Sequence, residues 1–303
     1  MTENVHHASI DVTAHEAAWG ALATALTTWG LLAVGLAQAG LFRCWALLAA
    51  WLFACALGWV FFRAQPSNPC APRRETLFFA LILITGLLLF AWPAEHFPLL
   101  GDSAIYPNTA ALLVRTGGLT YHYDPLDGLT WPQKQLFYVP ADRQLPHMQI
   151  RSYQGLLYGA YYIIDSGQNT IVSSRPPLAI VWMGLLGMLL GAQGMLYVTP
   201  LFGAASLVVV YFLGKRLFDE GTGALAGLWL VLSFPQLYFS RTPYAEVVGQ
   251  FFVLTALYSW VTYLQTRRFG YCGLGIGSLT AAFAARVDAI LALPTLFLFA
   301  AFL

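Results

Sequence analysis

Charge is scarce in this chain. Only 10% of its 303 residues are Asp, Glu, Lys or Arg, against 58% apolar, which excludes an ordinary water-soluble domain, where about a quarter of residues are charged. The chain reads as an integral membrane protein. A net charge of +1, with basic residues in scattered pairs rather than stripes, gives no electrostatic footprint for nucleic acid. Cysteine is equally sparse. Cys44, Cys55 and Cys272 lie in or beside apolar runs and Cys70 in a short loop, so no pair has the spacing of a zinc site or a disulfide framework. Residues 1–19 hold Glu3, Asp11 and Glu16 but no Lys or Arg. They lack the basic start of a cleaved signal peptide, and the first apolar run is expected to remain as an anchor. Internal repeats and low-complexity tracts are absent too.

Long apolar runs are what the chain has in abundance. Stretches approaching the roughly 20 residues that a bilayer requires lie near Trp19–Gln38, Cys44–Phe62, Leu77–Trp92, Leu196–Gly214, Ala224–Phe239, Val247–Leu264 and Tyr271–Ala285, and an eighth starts at Ala289. Pro177–Leu190 is apolar but short, Gly-rich and opened by a double proline. Basic residues gather in cytoplasmic loops, and Arg63, Arg73 and Arg74, then Lys215 and Arg216, then Arg267 and Arg268 mark three such loops. All three share a side only if two spans separate Arg74 from Lys215, so Pro177–Leu190 is expected to lie at the interface without crossing. The N-terminus is then cytoplasmic, in the plasma (inner) membrane, and Pro93 to about Gly194 forms one extracytoplasmic loop.

That loop carries its own signals. Ala104–Thr116 reads as a helix stopped by Gly117-Gly118, with Pro107 in its first turn. Leu156–Ser174 reads as a β-hairpin turning at Asp165–Asn169. A loop this far beyond ordinary connection lengths is usually functional. The expected fold is an all-α polytopic membrane protein of about eight transmembrane helices, with juxtamembrane helices and a small hairpin in the large loop. Residues 1–74 would be a tail plus two helices, and 75–303 the main module.

The same topology collects charge on the outer face, and charges at membrane depth tend to mark a site. Asp102 fits two readings: an N-cap for the helix at Ala104, or a catalytic acid. Glu246 follows Thr242-Pro243, where Thr caps and Pro opens a helix; an acid there complements the dipole but misses capping-box register. Arg286 and Asp288 are two apart and would not face each other on a helix, so interfacial snorkelling competes with a functional role. Arg175 and Arg241 suit headgroup anchors or phosphate binders. The glycines Gly273, Gly275 and Gly277 follow no strand and read as a close-packing helix face. His96, His122 and His147 show no metal-ligand spacing. Aromatics of "LTYHYDPLDGLTWP", Leu119–Pro132, suit sugar stacking or core packing.

Gly101-Asp102 opening an outer helix, then Arg175-Pro176-Pro177-Leu178 before "LLGMLLG", then Pro200–Trp260 in that order, resembles the GT-C superfamily of membrane glycosyltransferases. Within it the chain is most similar to the bacterial branch related to protein O-mannosyltransferases and lipid A aminoarabinose transferases, from about Glu75 onward. The resemblance implies an inverting enzyme that moves a sugar from a polyprenyl-phosphate carrier to an extracytoplasmic lipid, glycan or protein. Asp102 matches the family's acid in the first outer loop, which acts as base or binds a metal. Ser103 stands where many relatives have a second acid. Glu246 matches a later acidic position and joins Asp102 as a catalytic candidate, and Arg175, Arg241 and Arg286 are the candidates for the donor phosphate. Tyr106, Tyr121 and His122 are the candidate sugar or acceptor contacts. No organic cofactor is implied, and a divalent metal at Asp102 stays open. Relatives continue with further spans where this chain stops at "LFLFAAFL", so a truncated, inactive fragment is one alternative. A multi-spanning transporter or flippase is the other.

Overall fold

A computed structural model describes residues 11–63, 73–94, 101–136, 138–140, 155–157, 161–291 and 294. Eleven helices and five short strands are present among these residues: α1 (Ala14–Gln38), α2 (Cys44–Arg63), α3 (Arg73–Phe90), α4 (Asp102–Thr116), α5 (Trp131–Lys134), α6 (Pro177–Leu196), α7 (Val198–Leu217), α8 (Glu220–Leu232), α9 (Phe234–Arg241), α10 (Glu246–Thr266) and α11 (Phe269–Ala285), with β1 (Thr120–His122), β2 (Tyr138–Pro140), β3 (Gly155–Leu157), β4 (Tyr161–Asp165) and β5 (Thr170–Ser173). The all-α polytopic membrane fold read from composition and periodicity is what the chain adopts.

Five helices, α1, α2, α6, α7 and α10, are each long and apolar enough to cross a membrane, and α8 with α9 makes a sixth, bent by 63°. The bend falls at Ser233, which leaves the helix in extended conformation just before Pro235, a residue that cannot continue the amide ladder. α3 begins on three charged residues, Arg73, Arg74 and Glu75, and α11 has 17 residues; both fall just short of a full apolar span. Of the expected eighth span, Ala289–Leu291 forms part of a 3₁₀ turn and most of the remainder lies outside the described residues. Leucines and tryptophans on α2, such as Trp45, Leu48, Leu52 and Trp59, are exposed, the arrangement expected of a helix facing lipid hydrocarbon.

One face of the bundle gathers the first turns of α1, α3 and α11 with the last turns of α7 and α10. Arg216 closes a two-bond fork on Glu16, Nε to Oε1 at 2.6 Å and Nη2 to Oε2 at 2.7 Å. Lys215 donates to Glu75 at 2.9 Å, and Thr13 donates to the other oxygen of Glu75 at 2.7 Å. The Gln265 amide donates to the Arg216 carbonyl, and the Tyr271 hydroxyl to that of Glu16. These helices therefore present their other ends, Glu246 on α10 and Arg286 after α11, to the opposite face.

That geometry decides what α6 does. The helix runs to Leu196, beyond the expected Leu190, but is interrupted at Gly191, whose φ of 72° and ψ of −165° are not helical. Its length would suffice for a span. Yet Arg175, just before it, sits with Asp102, and Tyr197, just after it, opens α7, whose far end holds Lys215 and Arg216. A helix of 20 residues covers about 30 Å, so α7 alone carries the chain from the site face to the opposite one. Both ends of α6 stay on the same side. Its packing agrees: Trp182 lies edge-on to Trp29 of α1 and to Phe202 near the start of α7.

Over α6 sits the extramembrane layer. Its sheet is antiparallel, in the order β1-β5-β4-β3-β2. The hairpin expected at Leu156–Ser174 is the β4–β5 pair, starting at Tyr161, while Leu156 belongs to the separate strand β3 paired to Tyr162. The turn is fixed by Asp165, whose Oδ1 accepts from the amides of Gly167 and Gln168. α4 lies between sheet and membrane. Leu113 packs beside Gly184 of α6, and on the other side the Thr109 hydroxyl meets that of Tyr161 at 2.8 Å.

Candidate functional site

Asp102 does not cap its helix. The N-cap is Gly101, at φ 114° and ψ −177°, a conformation that glycine alone takes without strain, and Asp102 is the first helical residue. Its carboxylate pairs with the guanidinium of Arg175. Because the helix starts at Asp102 rather than Ala104, Pro107 falls in its second turn, where the missing N–H leaves the Ser103 carbonyl without its usual partner. The stop is as expected: Gly117, at φ 82°, donates its amide to the Leu113 carbonyl at 2.8 Å.

Glu246 likewise is the first residue of its helix, with Ala245 as N-cap. Thr242 instead terminates α9 and donates its hydroxyl back to the Tyr238 carbonyl. The Glu246 carboxylate receives Arg286, and its second oxygen, Oε2, is buried without a hydrogen-bond partner. Gly249, one turn on, leaves the space that the Arg286 side chain occupies; a Cβ there would stand 3.3 Å from Cδ of Arg286.

Arg286 and Asp288 do form a pair, contrary to the helix-based expectation. α11 ends at Ala285, and Arg286 has extended φ and ψ of −152° and 128°, so the two-residue spacing no longer separates the side chains. Nε and Nη2 of Arg286 reach Oδ1 and Oδ2 of Asp288, each at 2.8 Å, the bidentate geometry that guanidinium favours. Those hydrogen bonds hold the Asp288 carboxyl below the usual carboxylate range. Glu246, Gln250, Arg286 and Asp288 line a cavity of about 360 Å³ together with Gly249, Val253 and Ala289.

Tyr106 lies within electrostatic reach of both ion pairs. It lies one turn into α4 from Asp102 and is 4% exposed. Burial pushes its phenol up to about 12, with the charges of Arg175, Glu246, Arg286 and Asp102 all acting on it. Four of the five charged candidates thus lie near enough to buried Tyr106 for their charges to act on its phenol. Chemically the arrangement offers two carboxylates, two guanidiniums and a neutral phenol at one end of a helical bundle. That set is suited to binding a phosphate and moving a proton.

The remaining candidates lie elsewhere. Arg241 donates Nε to the Trp92 carbonyl at 3.1 Å and lines a separate cavity with Trp92, Phe234 and Tyr238. Tyr121 is 2% exposed in the core of the sheet layer, packed with Leu126, Leu157, Ile163 and Ile171. His122 points from the end of β1 to Asp127. Two residues were missed by sequence reading: Gln250, one turn below Glu246 on α10, and Asp288 as the second anchor of Arg286. The i to i+4 spacing of Glu246 and Gln250 was available as a signal.

Residues 174–303 match the dolichyl-phosphate-mannose-protein mannosyltransferase family. The match covers Arg175, Arg241, Glu246 and Arg286, and bears out the resemblance drawn from the ordered motifs over that stretch. With the apolar helices of the bundle, the match supports a membrane glycosyltransferase of GT-C type. Asp102 and the sheet layer precede the matched segment. No curated protein and no solved structure matches the chain.

Proposed function

We propose that the protein transfers a sugar, with inversion, from a polyprenyl-phosphate carrier to a hydroxyl acceptor on the extracytoplasmic side of the membrane. The observation that carries this reading is the presence of two carboxylate–guanidinium pairs, Asp102–Arg175 and Glu246–Arg286, whose charges both reach buried Tyr106.

An acceptor hydroxyl is a weak nucleophile. Asp102 at the helix start acts as the base that removes its proton as the new glycosidic bond forms, a role worth typically 10²–10⁴-fold. The lipid phosphate leaves with negative charge developing on its oxygens, and Arg286 and Arg175 receive it. Each guanidinium is already held by a carboxylate, so little reorganisation is needed at the moment of reaction. Glu246 orients Arg286, and its unpartnered oxygen faces the donor sugar. Arg241, in its own aromatic-lined cavity, binds lipid headgroup outside the reaction zone.

The orientation follows from the basic residues. Arg63, Lys215, Arg216, Arg267 and Arg268 end helices on the face opposite the site, which the positive-inside rule assigns to the cytoplasm. A carrier lipid reaches the site laterally, its headgroup at the level of α4 and α6.

The test is sugar release from a panel of labelled polyprenyl-phosphate sugars, in membranes containing wild-type protein or Asp102→Asn at matched abundance, with lipid, glycan and protein acceptors supplied. Acceptor-dependent release lost in the variant supports the reading. A variant that turns over as fast as wild type removes Asp102 from the chemistry, and wild-type inactivity across the whole panel refutes the transferase assignment.

A further inference from the structure

Helix α9 buries polar side chains that the proposed transfer step does not use. Gln236 is 4% exposed and Ser240 fully buried, although both lie in the second arm of the bent α8–α9 span. The bend places them there. Ser233 is extended and Pro235 stands in the first turn of the next helix, so α9 restarts with Gln236 and Ser240 at i and i+4, on one face. Phe234 and Tyr238, on the other face, are exposed. Gly203 of α7 makes room for the buried side, since a Cβ there would collide with the Ser240 hydroxyl.

These buried groups form a chain that ends at the candidate site. Nε2 of Gln250 on α10 donates to Oε1 of Gln236 at 2.9 Å, and Nε2 of Gln236 donates to the Ser240 hydroxyl at 3.1 Å. Gln236 is thereby held at both ends of its carboxamide. Gln250 is held at one end only. A carboxamide has two N–H donors and an oxygen with two lone pairs, and among the described residues that of Gln250 bonds to Gln236 alone. Gln250 lines the cavity shared by Glu246, Arg286 and Asp288, so the unused part of its amide is what it offers a ligand there.

A polar pair that only joins two helices would close on itself. This chain does not close: it ends on a half-used amide at the cavity wall. Arg286 in that cavity is already engaged by Glu246 and Asp288, which leaves Gln250 as the neutral hydrogen-bonding group. An N–H beside a C=O matches a sugar hydroxyl, which both donates and accepts, whereas a lipid phosphate only accepts and is matched by arginine. Glu246 stands one turn earlier on α10, and its Oε2 has no hydrogen-bond partner, so a second acceptor neighbours the amide.

We propose that Gln250 is a specificity-determining residue for the donor sugar, its carboxamide bonding a ring hydroxyl, and that Gln236 and Ser240 are positioning residues that hold that amide in place. The inference rests on the transferase reading above. A sugar without the matching hydroxyl leaves the amide unpaired, which is how polar sites reject deoxy analogues.

The test is binding, measured by calorimetry on the full chain in detergent. The ligands are short-chain prenyl phosphates bearing mannose, glucose, galactose or arabinose, and prenyl methyl phosphate, a diester of the same charge without a sugar. At least one glycosylated compound should bind wild type about 10-fold or more tighter than the methyl diester. Gln250→Met, close to glutamine in length but without N–H or carbonyl, should lose most of that preference and bind the methyl diester as wild type does. Gln236→Met and Ser240→Ala loosen the amide without removing it and should lose a smaller part. A full preference in Gln250→Met overturns the proposal, as does equal loss of both ligands, which would make the α9–α10 link structural only. A wild type with no preference for any of the sugars overturns it too. Turnover is a separate readout. Wild type that binds with the expected preference but releases no sugar refutes transfer and leaves the sugar subsite standing, whereas turnover with unchanged preference in Gln250→Met does the reverse.

Discussion

The carboxylate of Asp102 and the guanidinium of Arg175 meet although they stand 73 positions apart in the chain, one at the start of α4 and the other just before α6. Neither is placed by its own helix. Gly101 turns Asp102 into the first helical position, and Pro176-Pro177 fixes an extended approach to α6 that presents Arg175. The pair is half-exposed, at 44% and 32% for the two side chains, so it contributes little to stability. Its value lies in fixing where a base and a phosphate binder stand relative to each other.

Separate substitutions distinguish those two duties. Asp102→Asn keeps the shape and a hydrogen bond to Arg175 but cannot take a proton, so kcat should fall about 10²–10⁴-fold with the KM for the lipid donor nearly unchanged. Arg175→Ala should raise the donor KM and lower kcat together. Steady-state kinetics on both variants decides it. A donor KM defect in Asp102→Asn as large as in Arg175→Ala would mean that Asp102 only anchors the arginine.

Arg286 bridges Glu246 and Asp288, and the two carboxylates are not equivalent. The Asp288 carboxyl is held below its usual range by Arg286. A depressed carboxyl pKa stabilises the folded state above the unfolded pKa, and that contribution is lost as pH falls through the folded one. The arrangement around Arg286 should therefore survive to below the ordinary carboxylate range. In Asp288→Asn the acid limb of the rate–pH profile should change shape while the plateau falls less than about 10-fold, because Glu246 still holds the guanidinium. Arg286→Lys, which keeps the charge but loses the two-pronged geometry, should cost more. A rate–pH series on the three proteins checks the order.

Much of this could be read from the sequence, and the failures share a cause. Span positions, the stop at Gly117 and the strand turn at Asp165–Asn169 are written in local patterns of apolar length, glycine and turn residues. The polar helix ends are not. Local capping chemistry suggests Asp102 as an N-cap, yet Gly101 holds that position; Glu246 is the first-turn acid that the sequence suggests, but its pairing with Arg286 lies beyond local pattern. A two-residue spacing separates Arg286 and Asp288 on a continuous helix, but α11 ends at Ala285 and Arg286 is extended. The short apolar run at Pro177 looked complete at Leu190 because Gly191 does break it, and the helix resumes for one more turn. The inner network of Glu16, Glu75, Lys215 and Arg216 joins residues 200 apart in the chain, and no spacing rule reaches that far.

Tyr106 tests whether the buried phenol donates a hydrogen bond or merely fills space. With its ionisation pushed up to about 12, mainly by burial, it remains a neutral O–H across the working range. Tyr106→Phe should therefore lower turnover without moving the alkaline limb of the rate–pH profile. A shift of that limb in the phenylalanine variant would show instead that the phenolate takes part in the reaction.

The last relationship lies on the far face. Glu16 is fully buried against Arg216, itself nearly so, and Lys215 lies 3.6 Å from the same carboxylate. Removing one partner of a buried pair leaves the other charge without compensation and typically costs about 3–5 kcal/mol. Glu16→Ala should accordingly lower the melting temperature in detergent far more than loss of a surface ion pair would, since exposed pairs are worth under about 1 kcal/mol. The double variant Glu16→Leu with Arg216→Met removes both charges and should recover part of the loss. Because Lys215 and Glu75 remain paired at 2.9 Å, the recovery is incomplete, and a double variant no more stable than Glu16→Ala would show that the fork holds α1 to α7 through geometry rather than charge balance. Transfer activity, measured at a temperature where all variants stay folded, should be unaffected, because the fork sits at the end of the bundle opposite Tyr106.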